Sequence, residues 1–76
     1  MTEHRTIEVD GVSMLAIKWQ DDEQQPAVRI MAKVSFVFAE FTAGFATEEA
    51  RDRVYDNDAS ELFTSFASIA KQAVGA

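Results

Sequence analysis

The first half of the chain alternates between apolar and polar positions, which is the pattern of strands with one buried face. Asp10-Gly11 lies between two alternating segments, and this dipeptide is a strong hairpin signal in that setting. The alternation continues through residues 12–19 and ends in the polar run 20–26, which is typical of an exposed loop. The pattern therefore predicts a hairpin followed by a solvated connection.

Apolar residues then recur at every second position of residues 28–38, and their β-branched and aromatic character favours a strand. Pro26 could equally begin a helix, since proline suits the first helical turn. The valine, isoleucine and phenylalanine content through Phe41 favours the strand instead. From residue 39 to 45 both faces become apolar, which is typical of a bend between two strands or of a strand end covered on both sides.

The period changes to that of a helix in the second half. Thr47 followed by Glu48 and Glu49 predicts a helix start, because a hydroxyl cap and acidic residues suit the free N–H groups there. Asp58, with Glu61 three residues later, predicts the cap of a second helix.

The second helix carries an apolar stripe, and we expect Phe66 and Ile69 to anchor it in the core. The stripe consists of Leu62, Phe66, Ile69 and Ala73, joined by Phe63, Ala70 and Val74. The whole pattern predicts one α+β domain over residues 1–76. A three-stranded antiparallel sheet from about Thr6 to Phe45 is packed on one side by helices at about 47–55 and 59–74.

Composition narrows the class of protein. The chain has 76 residues, 47% of them hydrophobic and 26% charged, and it lacks cysteine, so packing or a partner must stabilise it. The apolar stretch 27–46 contains Arg29, Lys33 and Glu40, which are unfavourable in a bilayer. The polar N-terminal residues are not typical of a secretory signal. We therefore expect a cytoplasmic protein without membrane association.

Candidate catalytic and metal-binding groups are few. His4 is the only histidine, and we expect it in a frayed terminus. The three glycines do not form a phosphate-binding loop. Asp56-Asn57-Asp58 is similar to the opening of a calcium loop, but the turn glycine and the terminal glutamate of that motif are not matched. The sequence predicts no enzyme, no cofactor and no metal site.

One short segment resembles a known family. Gly44-Phe45-Ala46-Thr47-Glu48-Glu49-Ala50 is similar to the strand–helix junction in the arm-type DNA-binding domains of phage integrases. The resemblance covers seven residues and implies a three-stranded sheet followed by a helix. Those domains present basic strands to DNA, whereas this chain carries 13 acidic and 7 basic residues and a net charge of −6. Direct nucleic-acid binding is therefore not expected.

The acidic residues form two candidate partner-binding clusters. They are Asp21, Asp22 and Glu23 in the predicted loop, and Glu48, Glu49, Asp52 and Asp56 on the first helix. A field of this sign attracts basic protein surfaces and increases association rates. Tyr55 or the exposed side of the sheet is the candidate apolar anchor beside them. A nearly uncharged face of the second helix is another candidate contact surface: Ser60, Thr64, Ala67, Ser68 and Lys71.

The sequence thus predicts a non-enzymatic, acidic interaction protein that binds and blocks or bridges a larger protein with a basic surface. Its composition is similar to that of many inhibitors from phages and mobile elements, including anti-CRISPR proteins and nucleic-acid mimics. The alternative is a homo-oligomeric structural or assembly module, a homodimer in its simplest form, that packs through the C-terminal helix.

Overall fold

The computed structural model describes residues 3–75, which form a four-stranded antiparallel sheet followed by two helices. The strands are β1 (His4–Val9), β2 (Val12–Gln20), β3 (Pro26–Val34) and β4 (Val37–Gly44). The helices are α1 (Glu48–Tyr55) and α2 (Glu61–Gly75). The predicted α+β class, with an antiparallel sheet and two helices in the C-terminal half, is confirmed, but the sheet has four strands and not three.

A two-residue turn inside the long alternating segment divides it between β3 and β4, which is why the sequence predicted one strand there. Val34 pairs with Val37, so the chain reverses at Ser35 and Phe36. A two-residue turn moves the buried positions from even to odd numbers, and Phe36 and Phe38 therefore leave the core face and are exposed. Ser35 adopts a φ of 59°, for which the sequence offers neither asparagine nor glycine. The hairpin at Asp10-Gly11, where both φ angles are positive, is confirmed.

The strands follow one another in space in the order β1-β2-β3-β4, so β1 and β4 are the two edges. Both helices contribute to a core on one face of this sheet, and Tyr55, Phe63, Met14, Ile30 and Val28 are its largest fully buried side chains. The opposite face carries half-buried apolar residues such as Leu15, Ile17 and Met31. None of the helices in residues 3–75 is long and apolar enough to cross a membrane.

Local capping explains where α1 begins. The Thr47 hydroxyl accepts a hydrogen bond from the Ala50 N–H at 3.1 Å, and Glu48 and Glu49 occupy the first turn, as predicted. The helix α2 begins at Glu61, so the residue before it is Ser60 and not the predicted cap Asp58. Asp58 instead forms an ion pair with Arg5 of β1, which joins the link between the helices to the sheet.

The buried face of α2 differs from the predicted stripe. Phe66 is buried as predicted, but Ile69 is 63% exposed, so the prediction that Ile69 anchors the helix is wrong. Phe63 and Ala70 of the predicted stripe are buried as well, and Ala67, which was not part of it, joins them in the core. The predicted neutral contact face is also wrong at Ala67, which is completely buried. The predicted stripe and the observed buried face both satisfy the helical period, so the period alone does not distinguish them.

Candidate functional site

The structure brings parts of the two acidic clusters to one end of the sheet. The N–H of Phe45, just before α1, donates to the Pro26 carbonyl at 2.8 Å, at the start of β3. The Gln25 side-chain amide donates to the Phe45 carbonyl at 3.4 Å. The β2–β3 loop and the first turn of α1 are therefore neighbours. We call this surface the acidic end: Asp21, Asp22, Glu23, Glu48 and Glu49.

The residues of the acidic end differ in what their carboxylates do. The Asp21 carboxylate accepts the N–H groups of Glu23 and Gln25 at 2.9 and 2.8 Å, so it shapes the loop. Within residues 3–75, Asp22, Glu23 and Glu48 are exposed and form no ion pair. Glu49 pairs with Arg53 one turn later at 3.2 Å, but both side chains are largely exposed. Most of the carboxylates at this end are therefore without an ion pair in residues 3–75.

Asp52 has a structural role instead. Its carboxylate lies 2.9 Å from Arg51 and 3.4 Å from Lys18 on β2, and the Lys18 amine also lies 3.4 Å from Glu3. The hydrogen bond from Arg51 lowers the pKa of Asp52, and the charge of Lys18 lowers it further against the opposing effect of desolvation. Burial alone would lower the pKa of Lys18, but the Asp52 and Glu3 carboxylates raise it. Asp52 thus holds α1 against β2.

This ion pair makes a testable contribution to stability. Because its pKa is lowered in the folded protein, Asp52 stabilises the fold above its ordinary pKa and loses that effect as pH falls. We expect Asp52→Asn to lower the melting temperature at pH 7 and to have less effect below about pH 4. Thermal unfolding over this pH range measures the difference. Asp22→Asn removes a carboxylate without an ion pair and controls for net charge; an equal, pH-independent loss in both variants would contradict the assignment.

Asp56 lies apart from the acidic end. It is exposed and caps α1 at its C-terminus, where its N–H donates to the Asp52 carbonyl at 3.0 Å. Eight helical residues separate the two ends of α1 by about 12 Å. The predicted acidic cluster on α1 therefore divides into three parts: Glu48 and Glu49 at the acidic end, Asp52 in an ion-pair network, and Asp56 at the far end.

Tyr55 is unsuited to the predicted role of an exposed anchor. It is 2% exposed, and its ring lies beneath Lys18 and Arg5, whose charged groups are 5.1 and 5.7 Å from its centroid. Burial raises the pKa of its hydroxyl. The Arg5 guanidinium also donates to the Tyr55 carbonyl at 2.6 Å. Tyr55 is therefore a core residue covered by two cations and cannot contact a partner.

A groove that the sequence did not reveal lies between β4 and α2. It has a volume of about 450 Å³ and is lined by Glu40, Phe41, Glu61, Leu62, Ser65, Phe66 and Ile69. Phe41 and Ile69 are 49% and 63% exposed, and Phe38 on the same strand is 62% exposed. The signals for this surface were the doubly apolar run 39–45, which had suggested a bend or a covered strand end, and the apolar stripe of α2, which had been assigned to the core. Exposed apolar residues concentrated on one edge mark a contact surface.

The candidate metal ligands are not clustered in the part of the chain that the structure describes. Within residues 3–75 no group of three or more histidine, aspartate or glutamate side chains is placed to hold a metal ion. His4 lies in β1 rather than in the expected frayed terminus. Asn57 of the calcium-like segment uses its side-chain oxygen to accept the Ala59 N–H at 3.0 Å, so that segment serves the link between the helices.

No protein-family model matches the chain, and no significantly similar curated protein or solved structure was found.

Proposed function

We propose that this chain is a small, non-enzymatic, acidic interaction protein of the cytoplasm that binds a larger protein with a basic surface and blocks or bridges it. The observation that carries the proposal is the acidic end, where backbone contacts bring together the two segments that carry Asp22, Glu23 and Glu48. None of these three carboxylates forms an ion pair within residues 3–75. Such a surface is consistent with this chain being an inhibitor of the phage or mobile-element type, such as an anti-CRISPR protein or a nucleic-acid mimic.

The charge of the acidic end acts on recognition in a defined way. Exposed carboxylates in high-dielectric surroundings each contribute little affinity, but together they steer a basic partner and increase its association rate. The hydrogen bonds to Asp21 hold the loop backbone that carries Asp22 and Glu23, so little backbone ordering is needed on binding. A duplex nucleic acid has the same sign of charge as the acidic end and is not expected to bind there.

Charge reversal at the acidic end tests this function. We expect Asp22→Lys with Glu48→Lys to lower the association rate with a basic partner by about tenfold or more and to reduce its dependence on salt. Glu8→Lys with Asp56→Lys is the matched control, because it changes the net charge equally at exposed sites away from the acidic end. Partners are first isolated from host lysate by salt elution, identified, purified and then measured by surface plasmon resonance.

The comparison between the two variants decides the outcome. Equal rates for the wild-type chain and the acidic-end variant would show that the contact lies elsewhere. Equal slowing by both variants would show that only net charge matters, which also contradicts a site at the acidic end.

A further inference from the structure

The edge of β4 is open to another strand. β4 lies at one end of the sheet order, so one side of its backbone has no neighbouring strand. Because the two-residue turn makes Val34 and Val37 a hydrogen-bonded pair, Ala39, Phe41 and Ala43 direct their backbone groups toward β3. The hydrogen bond from the Phe45 N–H to the Pro26 carbonyl continues this pattern, in which every second residue of the strand bonds to β3. The N–H and C=O groups of Phe38, Glu40 and Thr42 therefore point to the free edge.

This edge lacks the features that usually prevent pairing. Natural edge strands are protected by lysine, proline, bulges or a covering element. β4 contains no proline or basic residue, and its one charged residue, Glu40, is paired with Arg29. By contrast, the other edge strand, β1, carries His4, Arg5 and Glu8 in six residues. Beside β4 lies the apolar groove, with Phe41 and Ile69 exposed.

We propose that two copies of this chain pair through their β4 edges, antiparallel and related by a two-fold axis at Phe41. The two sheets then form one continuous eight-stranded sheet. Phe41 of each copy lies opposite Phe41 of the other, on the side of the groove lined by Leu62 and Ile69. The pair buries the exposed apolar surface of both copies. This inference goes beyond the proposed function and does not depend on it.

Charge excludes one neighbouring register and is compatible with the proposed one. An axis at Glu40 would place two carboxylates directly opposite each other, which is unfavourable. With the axis at Phe41, Glu40 faces Thr42 of the second copy, and Arg29 pairs with Thr42 across the adjacent strand. Each Glu40 therefore lies in one cross-strand row with an arginine of the other copy. The pairing is consistent with the charges that the strand carries.

The same register also places opposite charges at the two ends of the interface. Lys33 is exposed and is the one basic residue without an ion pair in residues 3–75. It pairs with Phe38 across the hairpin, and Phe38 faces Gly44 of the second copy. Gly44 lies next to Gln25, at the acidic end. Lys33 is thereby brought toward the uncompensated carboxylates of the other copy, although each copy carries a net charge of −6.

Single cysteines test the two-fold axis, because the chain contains none of its own. A non-hydrogen-bonded antiparallel pair brings Cβ atoms close enough for a disulfide. We expect Phe41→Cys to form a disulfide-linked dimer rapidly under mild oxidation. Phe38→Cys, on the same strand but opposite Gly44 in this register, should cross-link far more slowly. Equal rates for both variants would overturn the proposed axis.

Sedimentation of unlinked protein tests the pairing itself. We expect a monomer–dimer equilibrium for the wild-type chain. Thr42→Glu places a second carboxylate opposite Glu40 of the other copy, on both sides of the two-fold axis, and should raise the dimer dissociation constant at least about fivefold. Thr42→Gln should leave the constant nearly unchanged. Circular dichroism of each variant verifies that the monomer is folded. A wild-type chain that remains monomeric up to about 1 mM, or equal effects of both substitutions, would overturn the proposal.

Discussion

Replacing Phe63 with alanine is expected to lower the free energy of unfolding by about 3–5 kcal/mol. The side chain is completely buried between α2 and the sheet, so its removal leaves a cavity as well as losing apolar contact. A loss of this size is comparable to the whole stability of a domain with 76 residues. Urea unfolding measures it, and Phe63→Leu, expected to cost less than about 1.5 kcal/mol, keeps the measurement possible if the alanine variant does not fold.

Ile69→Ala is the matched control on the same helix. Its side chain is 63% exposed, so we expect a change within about 0.5 kcal/mol. If Ile69→Ala were as destabilising as Phe63→Ala, the helix would present the other face to the sheet.

The second large effect is expected at Tyr55. Truncation to alanine removes a ring that is 2% exposed and that fills the core beneath Lys18 and Arg5, so we expect a loss of about 3–5 kcal/mol. Tyr55→Phe keeps the ring and removes only the hydroxyl, so it distinguishes their contributions to stability. The hydroxyl oxygen is buried without a hydrogen-bond partner in the described structure, so its removal should leave stability equal or slightly higher.

Thermal and urea unfolding of the two Tyr55 variants measure this difference. A Tyr55→Phe variant that loses more than about 1 kcal/mol would show that the hydroxyl is hydrogen-bonded in the folded protein. A stable Tyr55→Ala variant would contradict the placement of the ring in the core.

The features that could be predicted from the sequence are those decided by neighbouring residues. Asp10-Gly11 specifies its turn through the φ angles it tolerates, and Thr47 caps α1 through a bond to a residue three positions away. The turn at Ser35-Phe36 carries no such local signal, and the alternation of apolar residues continues through it. The fourth strand therefore depends on pairing with β3, which the sequence alone does not reveal.

The prediction of the candidate site was limited in the same way, because it could not include contacts between residues distant in sequence. The acidic residues of the loop and of the first turn of α1 were identified from composition, but their proximity depends on the contact between Phe45 and Pro26. Asp52 was grouped with these residues, although it forms an ion pair with Lys18 instead. That partner lies far away in the sequence, so the sequence does not reveal the pair. The groove at β4 was missed because an edge strand and its uncovered face are properties of sheet order.

The sequential strand order has a consequence for how the chain folds. Each strand pairs with the next strand along the chain, so most of the sheet is built from contacts between residues close in sequence. Such contacts need only short loops to close, which lowers the entropic barrier and favours rapid folding. The bond between Arg5 and the Tyr55 carbonyl is different, since it joins residues 50 positions apart. It can form only once α1 has been placed against the first strand, so its formation requires a long segment of chain to be closed.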